Sequence, residues 1–382
     1  MPFGVDLILH CSIEKCFKET ATHLKVKEFY GKVLKKTTDL KTDACVASSG
    51  PVPAHIRHAL NMVHPEVIAK YYGCGLVVPE CMEACQVLDL GSGSGRDCYM
   101  LSKLVGEKGN VTGIDMTEKL LEVARTYTDY HTQAFGYKAP NIRFVQGYLE
   151  ALNEAGIEGS TYDICISNGA VNLCPDKKPV LQEAYRVLKE GGELYFSDVY
   201  SSGRLTEEIR NSNVLWGECL SGALWWEDLM QLAEEVGFSP PRFVSGAAIK
   251  VFNKEMQDIL GDFKFLSATY RLFKVPRGAG KPREVVYQGG ITGMEESFSL
   301  DSQYTFKVNE VVGVDGDVAE ILTRSRFSDK FTMLPPGGPS QTCGASPKAG
   351  AVNPFELIHH RSDVPGSTTG GCCGTQPTGC CN

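Results

Sequence analysis

The chain has 382 residues, of which 42% are hydrophobic, enough for two domains or for one large domain with an appendage. Its formal net charge of −8 gives no general basic field, so neither a nucleic acid nor an anionic membrane is expected as a main partner. Apolar stretches stay short of the roughly 18 residues that a membrane span needs. The first residues lack a secretory signal pattern, so we expect a cytoplasmic protein of the cytosol.

Cysteine is the unusual component, with 15 residues in the chain. This fraction is well below the roughly 8–10% that is typical of disulfide scaffolds. In a reducing compartment, an excess of thiols indicates metal binding or catalysis more than structural disulfides. Part of these cysteines are expected to be small buried hydrophobic side chains.

The first 70 residues are predicted to form an N-terminal helical cap. Residues 14–70 have helical patterns on both sides of an irregular stretch, TDACVASSGPVPAHIRHAL, in which Pro51 and Pro53 forbid a continuous helix. This stretch carries Cys45 in a predicted loop.

Residues 71–253 alternate short apolar runs with helix-length amphipathic segments. The predicted strands are QVLDLG, NVTGID, IRFVQG, YDICISN and GELYFSDV. The predicted helices between them are DCYMLSKLVG, TEKLLEVARTYTDYHTQAF and KPVLQEAYRVLKEGG, the last of which ends at Gly191 and Gly192. Two more helices are predicted within 204–239, and RFVSG and AIKVFN are expected to complete the sheet. The alternation predicts an α/β fold with a doubly wound, Rossmann-like, mainly parallel sheet.

The pattern changes after residue 253. FKFLSATYRLFK, REVVYQGGITG and DSQYTFKVNEVVGV are typical of strands and hairpins, and a helix is predicted near 317–328. We therefore predict a smaller α+β domain over 254–335. Residues 336–382 are rich in Gly, Pro, Ser and Thr and end in GGCCGTQPTGCCN, which predicts a disordered tail that contains cysteines.

A glycine-rich loop follows the first strand of the core. Asp89 is followed by Gly91, Gly93 and Gly95 at the start of a helix, which allows a ligand to approach the backbone closely. Asp115 ends the next strand, where a carboxylate can accept both hydroxyl groups of a ribose. The loop lacks the Lys-Ser/Thr of a phosphate-binding P-loop, and its third glycine comes one position too early for a dinucleotide fingerprint.

This loop resembles the S-adenosylmethionine signature of class I methyltransferases. The resemblance implies that Asp89 and the glycines flank the methionine portion of S-adenosylmethionine, that Asp115 binds its ribose, and that Gly147 and Tyr148 border its adenine. The fold alone does not identify the methyl acceptor.

The segment after the fourth strand is Ser167 to Pro175, SNGAVNLCP. It lacks the Asn/Asp-Pro-Pro-Tyr sequence with which amino-group methyltransferases hold a planar nitrogen, and it lacks a Pro-Cys nucleophile of the cytosine-methylating type. Trivalent arsenic held by thiolates would need no base, because it is soft, prefers sulfur ligands and keeps a lone pair.

Several further motifs resemble arsenite methyltransferases of the animal and algal type: YYGCGLVVPE, LDLGSGSGRD, GELYFSDVY, LWGECLSGAL, SATYRLFK, YQGGITG and GGCCG. The resemblance covers about residues 26–335 and the tail. It implies that Cys45, Cys74 and Cys219 bind arsenic or form transient disulfides that reduce it. At the fourth family position, after Ser-Asn, this chain has Gly169 in place of cysteine. Cys174 follows five residues later, and a turn would be needed to bring it near the same space.

The resemblance also implies the residues around the cofactor, with Tyr72 lying against it. The implied cofactor-binding residues are Tyr72, Asp89, Gly91, Ser92, Gly93, Gly95, Asp115, Met116, Gly147 and Tyr148. Cys81, Cys85 and Cys98 match no arsenic-binding position of the family, and we interpret them as structural thiols. A helical spacing of Cys81 and Cys85 would alternatively let them chelate a soft ion.

Three hypotheses remain open at this point. The first is methylation of arsenite, or of its glutathione conjugate, with glutathione or thioredoxin as thiol reductant. The second is a divergent small-molecule methyltransferase, and the third is a thiol-rich protein that binds metalloids without turnover. We expect a monomer, although no sequence feature decides the oligomeric state.

Overall fold

The structure is a computed structural model that describes residues 17–34, 52–216, 219–335 and 352–362. The predicted loop with Cys45 and most of the predicted tail lie outside these residues.

The N-terminal part consists of short helical elements. They are α1 (Ala21–Glu28), a π-helical turn (Phe29–Val33), α2 (Ala54–Asn61) and α3 (Pro65–Ile68). Helix α2 begins directly after Pro53, so the end of the stretch that we expected to be irregular is helical. A proline just before the first turn is tolerated because the first backbone N–H groups of a helix have no intrahelical partner.

The core alternates strands and helices along the chain. Its elements are β1 (Gln86–Leu90), α4 (Arg96–Val105), β2 (Asn110–Asp115), α5 (Glu118–Thr126), α6 (Thr128–Phe135), β3 (Ile142–Gln146), β4 (Tyr162–Asn168), α7 (Lys177–Val187), β5 (Leu188–Ser201), α8 (Glu207–Arg210), α9 (Asn213–Trp216), β6 (Leu224–Trp225), α10 (Trp226–Val236), β7 (Arg242–Ala248), α11 (Lys254–Leu260) and β8 (Phe265–Phe273).

One mixed sheet organises the core, with the strand order β3-β2-β1-β4-β5-β8-β7 and with β6 beside β5. Strands β3, β2, β1, β4 and β5 are parallel, and β8 runs antiparallel to β5 and β7. The chain order reverses between β1 and β4, and ligands of such sheets bind beyond the carboxyl ends of the strands at this point. The predicted doubly wound α/β fold is confirmed.

Two predicted helix boundaries are wrong. The helix predicted over TEKLLEVARTYTDYHTQAF is two helices, because Tyr127 leaves the helical conformation between α5 and α6. Helix α7 ends at Val187, before the predicted Gly191 and Gly192. The buried Leu188 already pairs with Tyr162 of β4, and the pairing then shifts in register, so the glycines belong to an irregular start of β5.

The structure also moves the boundary of the smaller domain. Strand β8 falls within FKFLSATYRLFK, but it lies between β5 and β7 in the main sheet, and all nine of its residues are buried. The chain leaves the strand conformation after Ala248, so most of AIKVFN does not extend the sheet.

The smaller unit follows β8 and has its own apolar core, in which Phe298, Phe306 and Phe327 are fully buried. Its elements are β9 (Arg283–Tyr287), β10 (Ser297–Ser299), β11 (Thr305–Lys307), β12 (Val311–Val314), α12 (Gly316–Arg324), a 3₁₀ turn (Ser328–Lys330) and β13 (Phe331–Met333). Strands β12, β9 and β13 form one small sheet, and β10 pairs with β11.

The predicted tail contains a short helix. Residues Pro354–Ser362 form α13, whose Phe355, Leu357 and Ile358 pack against the core of the main sheet. The Gly- and Ser-rich composition hid this short apolar segment. Within the described part of the chain, every helix is too short or too polar to span a bilayer.

Candidate active site

A cavity of about 890 Å³, its open mouth included, lies beyond the carboxyl ends of β1, β2 and β4. All of the predicted cofactor residues except Gly95 line it, and Cys174 does as well. Predicted residues from four separate segments, and Cys174 from a fifth, therefore lie around one cavity.

The glycine loop forms the floor of this cavity. Gly91 has φ +83°, and a β-carbon there would lie 2.3 Å from Cβ of Ala170, so a side chain is excluded. Gly93 has φ +53°, and its β-carbon would meet no atom closer than 4.0 Å, which leaves its backbone open to a ligand. Gly95 lies outside the cavity. It precedes α4 with φ +86°, and a β-carbon there would lie 2.8 Å from the ring of Phe144.

Asp115 is held in place by the loop itself. Its carboxylate accepts hydrogen bonds from the backbone N–H groups of Gly93, at 2.9 Å, and of Thr117, at 2.7 Å. Each carboxylate oxygen has a second lone pair, so the carboxylate can still accept two hydroxyl groups of a ribose. The buried hydroxyl of Ser92 has no hydrogen-bond partner among the described residues. An open glycine backbone, an oriented carboxylate and an unsatisfied hydroxyl together fit S-adenosylmethionine.

Cys98 contacts Asp89, a carboxylate that lines the cavity. The Cys98 thiol donates a hydrogen bond of 3.0 Å to Oδ2 of Asp89, and both side chains are buried. Burial and the nearby Asp97 carboxylate raise the pKa of Asp89 to about 8, and the bond from Cys98 partly opposes this shift. Without a cationic ligand, Asp89 is thus predominantly protonated at neutral pH.

Asn168, at the end of β4, connects the cavity to the loop that carries Cys74. Its Oδ1 accepts a hydrogen bond of 2.7 Å from the backbone N–H of Cys74. Its Nδ2 is within hydrogen-bond distance of three acceptors: the Tyr71 hydroxyl, the Gly75 carbonyl and the Asp97 carboxylate. Sequence reasoning missed Asn168, because its partners are 71 to 97 residues away in the chain. The sequence feature that could have indicated a role for Asn168 is its position at the end of a predicted strand, directly after Ser167.

The thiols of Cys74 and Cys219 both contact Gly169. A β-carbon on Gly169 would lie 2.7 Å from Sγ of Cys74, and the Cys219 thiol donates to the Gly169 carbonyl at 3.9 Å. Gly169 lines the cavity, whereas the two cysteines lie behind it and are 0% and 2% exposed. The Ser267 hydroxyl further fixes the Cys74 loop by donating to its carbonyl at 2.6 Å.

Cys174 lies in the cavity wall rather than beside that pair. The 3₁₀ turn Val171–Leu173 turns the chain back, as the short spacing required, and places the Cys174 thiol 3.8 Å from the carbonyl of Ala170. Burial raises the pKa of Cys174 well above its usual range, and the Glu150 carboxylate raises it further. Glu150 in turn pairs with Nε2 of His23 at 3.0 Å.

The other cysteines considered in the sequence analysis are Cys81, Cys85 and Cys45. Cys81 and Cys85 are not helical: Cys81 has φ +54°, and the Cys85 thiol donates to the Cys81 carbonyl at 3.5 Å. Burial raises the pKa of Cys81 to about 12 and that of Cys85 to about 11, which disfavours both thiolates. No group of three or more His, Cys, Asp or Glu side chains within the described ranges is arranged to hold a metal ion. Cys45, the third predicted arsenic ligand, lies outside those ranges.

This sheet and cavity define an S-adenosylmethionine-dependent methyltransferase of class I. Residues 82–237 match the family of methyltransferase domains, and residues 280–381 match the arsenite methyltransferase C-terminal domain.

The arsenite methyltransferase of Homo sapiens is 52% identical over 360 residues, which cover 92% of this chain and 96% of that protein. That of Aquipseudomonas alcaligenes is 46% identical and covers 82% of this chain and 90% of its own. The crystal structure of an arsenic(III) S-adenosylmethionine methyltransferase from Chlamydomonas reinhardtii matches with a TM-score of 0.71 at 44% identity, over 74% of this chain and 96% of that one. The chain belongs to the arsenite methyltransferase family.

Proposed function

We propose that this chain methylates trivalent arsenic that is held by the thiolates of Cys74 and Cys219. The observation that carries the proposal is that both thiols contact Gly169, which itself lines the cofactor cavity. Arsenic bound to both sulfurs would therefore lie directly against the wall of the methyl-donor site. Cys45 is proposed as a third ligand on the resemblance alone.

Within the cavity, Asp115 would hold the ribose of the cofactor and Asp89 its cationic methionine portion. Bound there, S-adenosylmethionine supplies an electrophilic methyl group, which the arsenic lone pair takes while the sulfonium sulfur keeps the electrons of the broken bond. The task of the protein is positioning, which makes the encounter of arsenic and methyl donor effectively unimolecular. Asn168 contributes by fixing the Cys74 backbone.

Arsenite binds to the thiols without a change in oxidation state. Each As–OH group reacts with one cysteine thiol to give an As–S bond and one water molecule. Methylation then takes arsenic formally from the trivalent to the pentavalent state. The return to trivalent arsenic takes two electrons, which two cysteine thiolates supply when they form a disulfide.

We further propose that glutathione or thioredoxin reduces this disulfide by thiol–disulfide exchange. Such a cycle requires a reducing compartment, which fits the expected cytosolic location. Arsenite would arrive free or as its glutathione conjugate, and the chain would act as a monomer.

The test is arsenite-dependent formation of S-adenosylhomocysteine by the full chain, followed by chromatography with glutathione or thioredoxin present. Cys219→Ser should lose at least about 90% of the activity, because a hydroxyl is a poor ligand for a soft ion. The control is Cys81→Ser, whose thiol lies outside the cofactor cavity, and it should keep its activity. Wild-type turnover that does not depend on arsenite would favour a different small-molecule substrate, and arsenite binding without turnover would favour a sequestering protein.

A further inference from the structure

Residues 17–34, which we call the N-terminal strap, run along the cofactor cavity. Three of its side chains line that cavity: His23, Val26 and Tyr30. They are three and four residues apart in sequence, which places them on one face of a helix. The strap therefore presents one continuous face to the site.

One end of the strap is tied to the segment after β3. His23 pairs with Glu150 at 3.0 Å, and both of these side chains are less than 10% exposed. Lys27 donates a hydrogen bond of 2.6 Å to the Tyr148 hydroxyl. Tyr148 is among the residues that the family resemblance places beside the adenine, so this end of the strap covers the adenine side of the cavity.

The other end of the strap reaches a thiol. The hydroxyl of Tyr30 lies 3.8 Å from Sγ of Cys219, within hydrogen-bond distance for sulfur. The Tyr30 ring packs edge-to-face against Tyr72, with 5.5 Å between the ring centroids. Tyr30 belongs to a single π-helical turn, Phe29–Val33. Such turns are rare in proteins, but those that occur are often found at functional sites.

Two of the contacts of the Cys219 thiol, with Gly169 and with Tyr30, differ in what they can stabilise. The carbonyl of Gly169 only accepts hydrogen bonds, so it favours the protonated thiol. The hydroxyl of Tyr30 can turn and donate, so it can stabilise the thiolate that arsenic requires. A hydrogen bond to a charged group is roughly twice as strong as one between neutral groups.

We propose that Tyr30 is a positioning residue that couples cofactor binding to arsenic binding. When the strap closes over the bound cofactor, the Tyr30 hydroxyl is held against Cys219 and stabilises its thiolate. When the strap opens, the thiol loses this donor and arsenite gains access to a sulfur that is otherwise 2% exposed. This inference rests on the proposed role of Cys219 as an arsenic ligand.

The test measures the arsenite dissociation constant with and without S-adenosylhomocysteine, which occupies the cavity but cannot donate a methyl group. In the wild type, S-adenosylhomocysteine should tighten arsenite binding by about tenfold, within the usual range of coupling between two sites. Tyr30→Phe keeps the ring and removes only the hydroxyl. It should reduce the coupling to less than about twofold while leaving the affinity for S-adenosylhomocysteine within about twofold.

Tyr130→Phe is the matched control, because Tyr130 is 47% exposed and lies outside the cavity lining, and it should keep the wild-type coupling. Lys27→Met removes the hydrogen bond between the strap and Tyr148, so it should also reduce the coupling. This second variant keeps the inference testable if Tyr30→Phe does not fold. An equal coupling factor in wild type and Tyr30→Phe, or no coupling in the wild type, would overturn the inference. A purely structural role would instead weaken both ligands and leave the coupling factor unchanged. Unaltered arsenite affinity in Cys219→Ser would overturn the proposed function itself.

Discussion

A β-carbon on Gly169 would lie 2.7 Å from Sγ of Cys74 and 3.7 Å from its Cβ. Real β-carbons do not approach another atom to 2.7 Å, so any side chain at this position displaces the Cys74 thiol. Gly169 also has φ +75°, a conformation that other residues adopt at a cost of about 1–2 kcal/mol. The resemblance implies a cysteine at position 169, but in this chain the Cys74 thiol occupies the space that a side chain there would need.

Gly169→Ala should lower both stability and arsenite affinity. Gly136→Ala separates the two causes, because Gly136 has φ +76° but would meet no atom within 4 Å. We expect Gly136→Ala to cost about 1–2 kcal/mol of unfolding free energy, and Gly169→Ala to cost more because of its contact with Cys74. Urea unfolding and arsenite titration measure the two effects. Equal losses in both variants would mean that the Cys74 thiol moves aside freely.

Gly169→Cys should create a new thiol pair. The separation of 3.7 Å between the β-carbons of positions 169 and 74 is close to the mean of about 3.8 Å in disulfides. We expect a disulfide between them in oxidising buffer, seen by mass spectrometry of unreduced peptides. We expect the wild type to make mainly monomethylated arsenic, because each methyl group replaces one thiolate and the missing thiol weakens the hold on the methylated species. Under reducing conditions the added thiolate of Gly169→Cys should hold methylated arsenic better and shift the products toward dimethylated arsenic. If chromatography shows the same ratio of monomethylated to dimethylated arsenic in wild type and Gly169→Cys, a thiol at position 169 does not help to hold methylated arsenic.

Cys174 is the candidate substitute for the missing thiol, and the double variant tests it. If Cys174 serves as an arsenic ligand, Cys174→Ser should strongly reduce product formation when residue 169 is glycine. Combined with Gly169→Cys, it should have almost no effect on product formation. Its contact with Glu150 suggests the opposite result, because burial and this carboxylate keep the thiol protonated. We therefore expect Cys174→Ser to change product formation by less than about twofold in both backgrounds. A strong loss confined to the Gly169 background would establish Cys174 as the substitute.

The sequence predicted the sheet because strands and helices depend on local patterns, and the cofactor residues that the resemblance implied, Gly95 excepted, line one cavity. β-branched runs ending in Asp89 and Asp115, with glycines after the first, mark strand ends wherever they occur. Contacts between distant segments were not predictable. The bond of Asn168 to Cys74, the contact of Tyr30 with Cys219 and the strand β8 in the main sheet each join residues that the chain order separates. Such partners follow from packing in three dimensions, which periodicity does not report.

Asn168→Asp should disrupt the link between the cavity and the Cys74 loop. The new carboxylate would lose the donors that now face the Gly75 carbonyl and the Asp97 carboxylate, and it would place two buried negative charges together. We expect a loss of about 3 kcal/mol in unfolding free energy and a clear loss of arsenite affinity. The control is Asn309→Asp on the surface, which should change stability by less than about 0.5 kcal/mol. Calorimetry and urea unfolding of both variants provide the comparison, and equal effects would show that Asn168 is not a structural hub.

Cofactor affinity should depend on pH through Asp89. Its pKa in the ligand-free protein is about 8, raised by burial and by Asp97, so near neutral pH it carries a proton. This raised value lies above the unfolded one, so the ligand-free protein loses stability as pH rises from about 4 to 8. A cationic ligand beside Asp89 favours the charged carboxylate, so binding must release that proton. The affinity for S-adenosylmethionine should thus rise with pH, by up to about tenfold per unit below pH 8.

Two variants separate Asp89 from other titrating groups. Asp89→Asn has no proton to release, so its affinity should be weak and should change little over the same pH range. Cys98→Ala removes the thiol that donates to Asp89, which should raise the pKa of Asp89 and shift the rise in affinity to higher pH. Titration calorimetry near neutral pH, in two buffers with different ionisation enthalpies, counts the released protons. The wild type should release close to one proton for each S-adenosylmethionine bound, and Asp89→Asn none. Equal proton release in both proteins would mean that the Asp89 carboxylate is already charged before the cofactor binds.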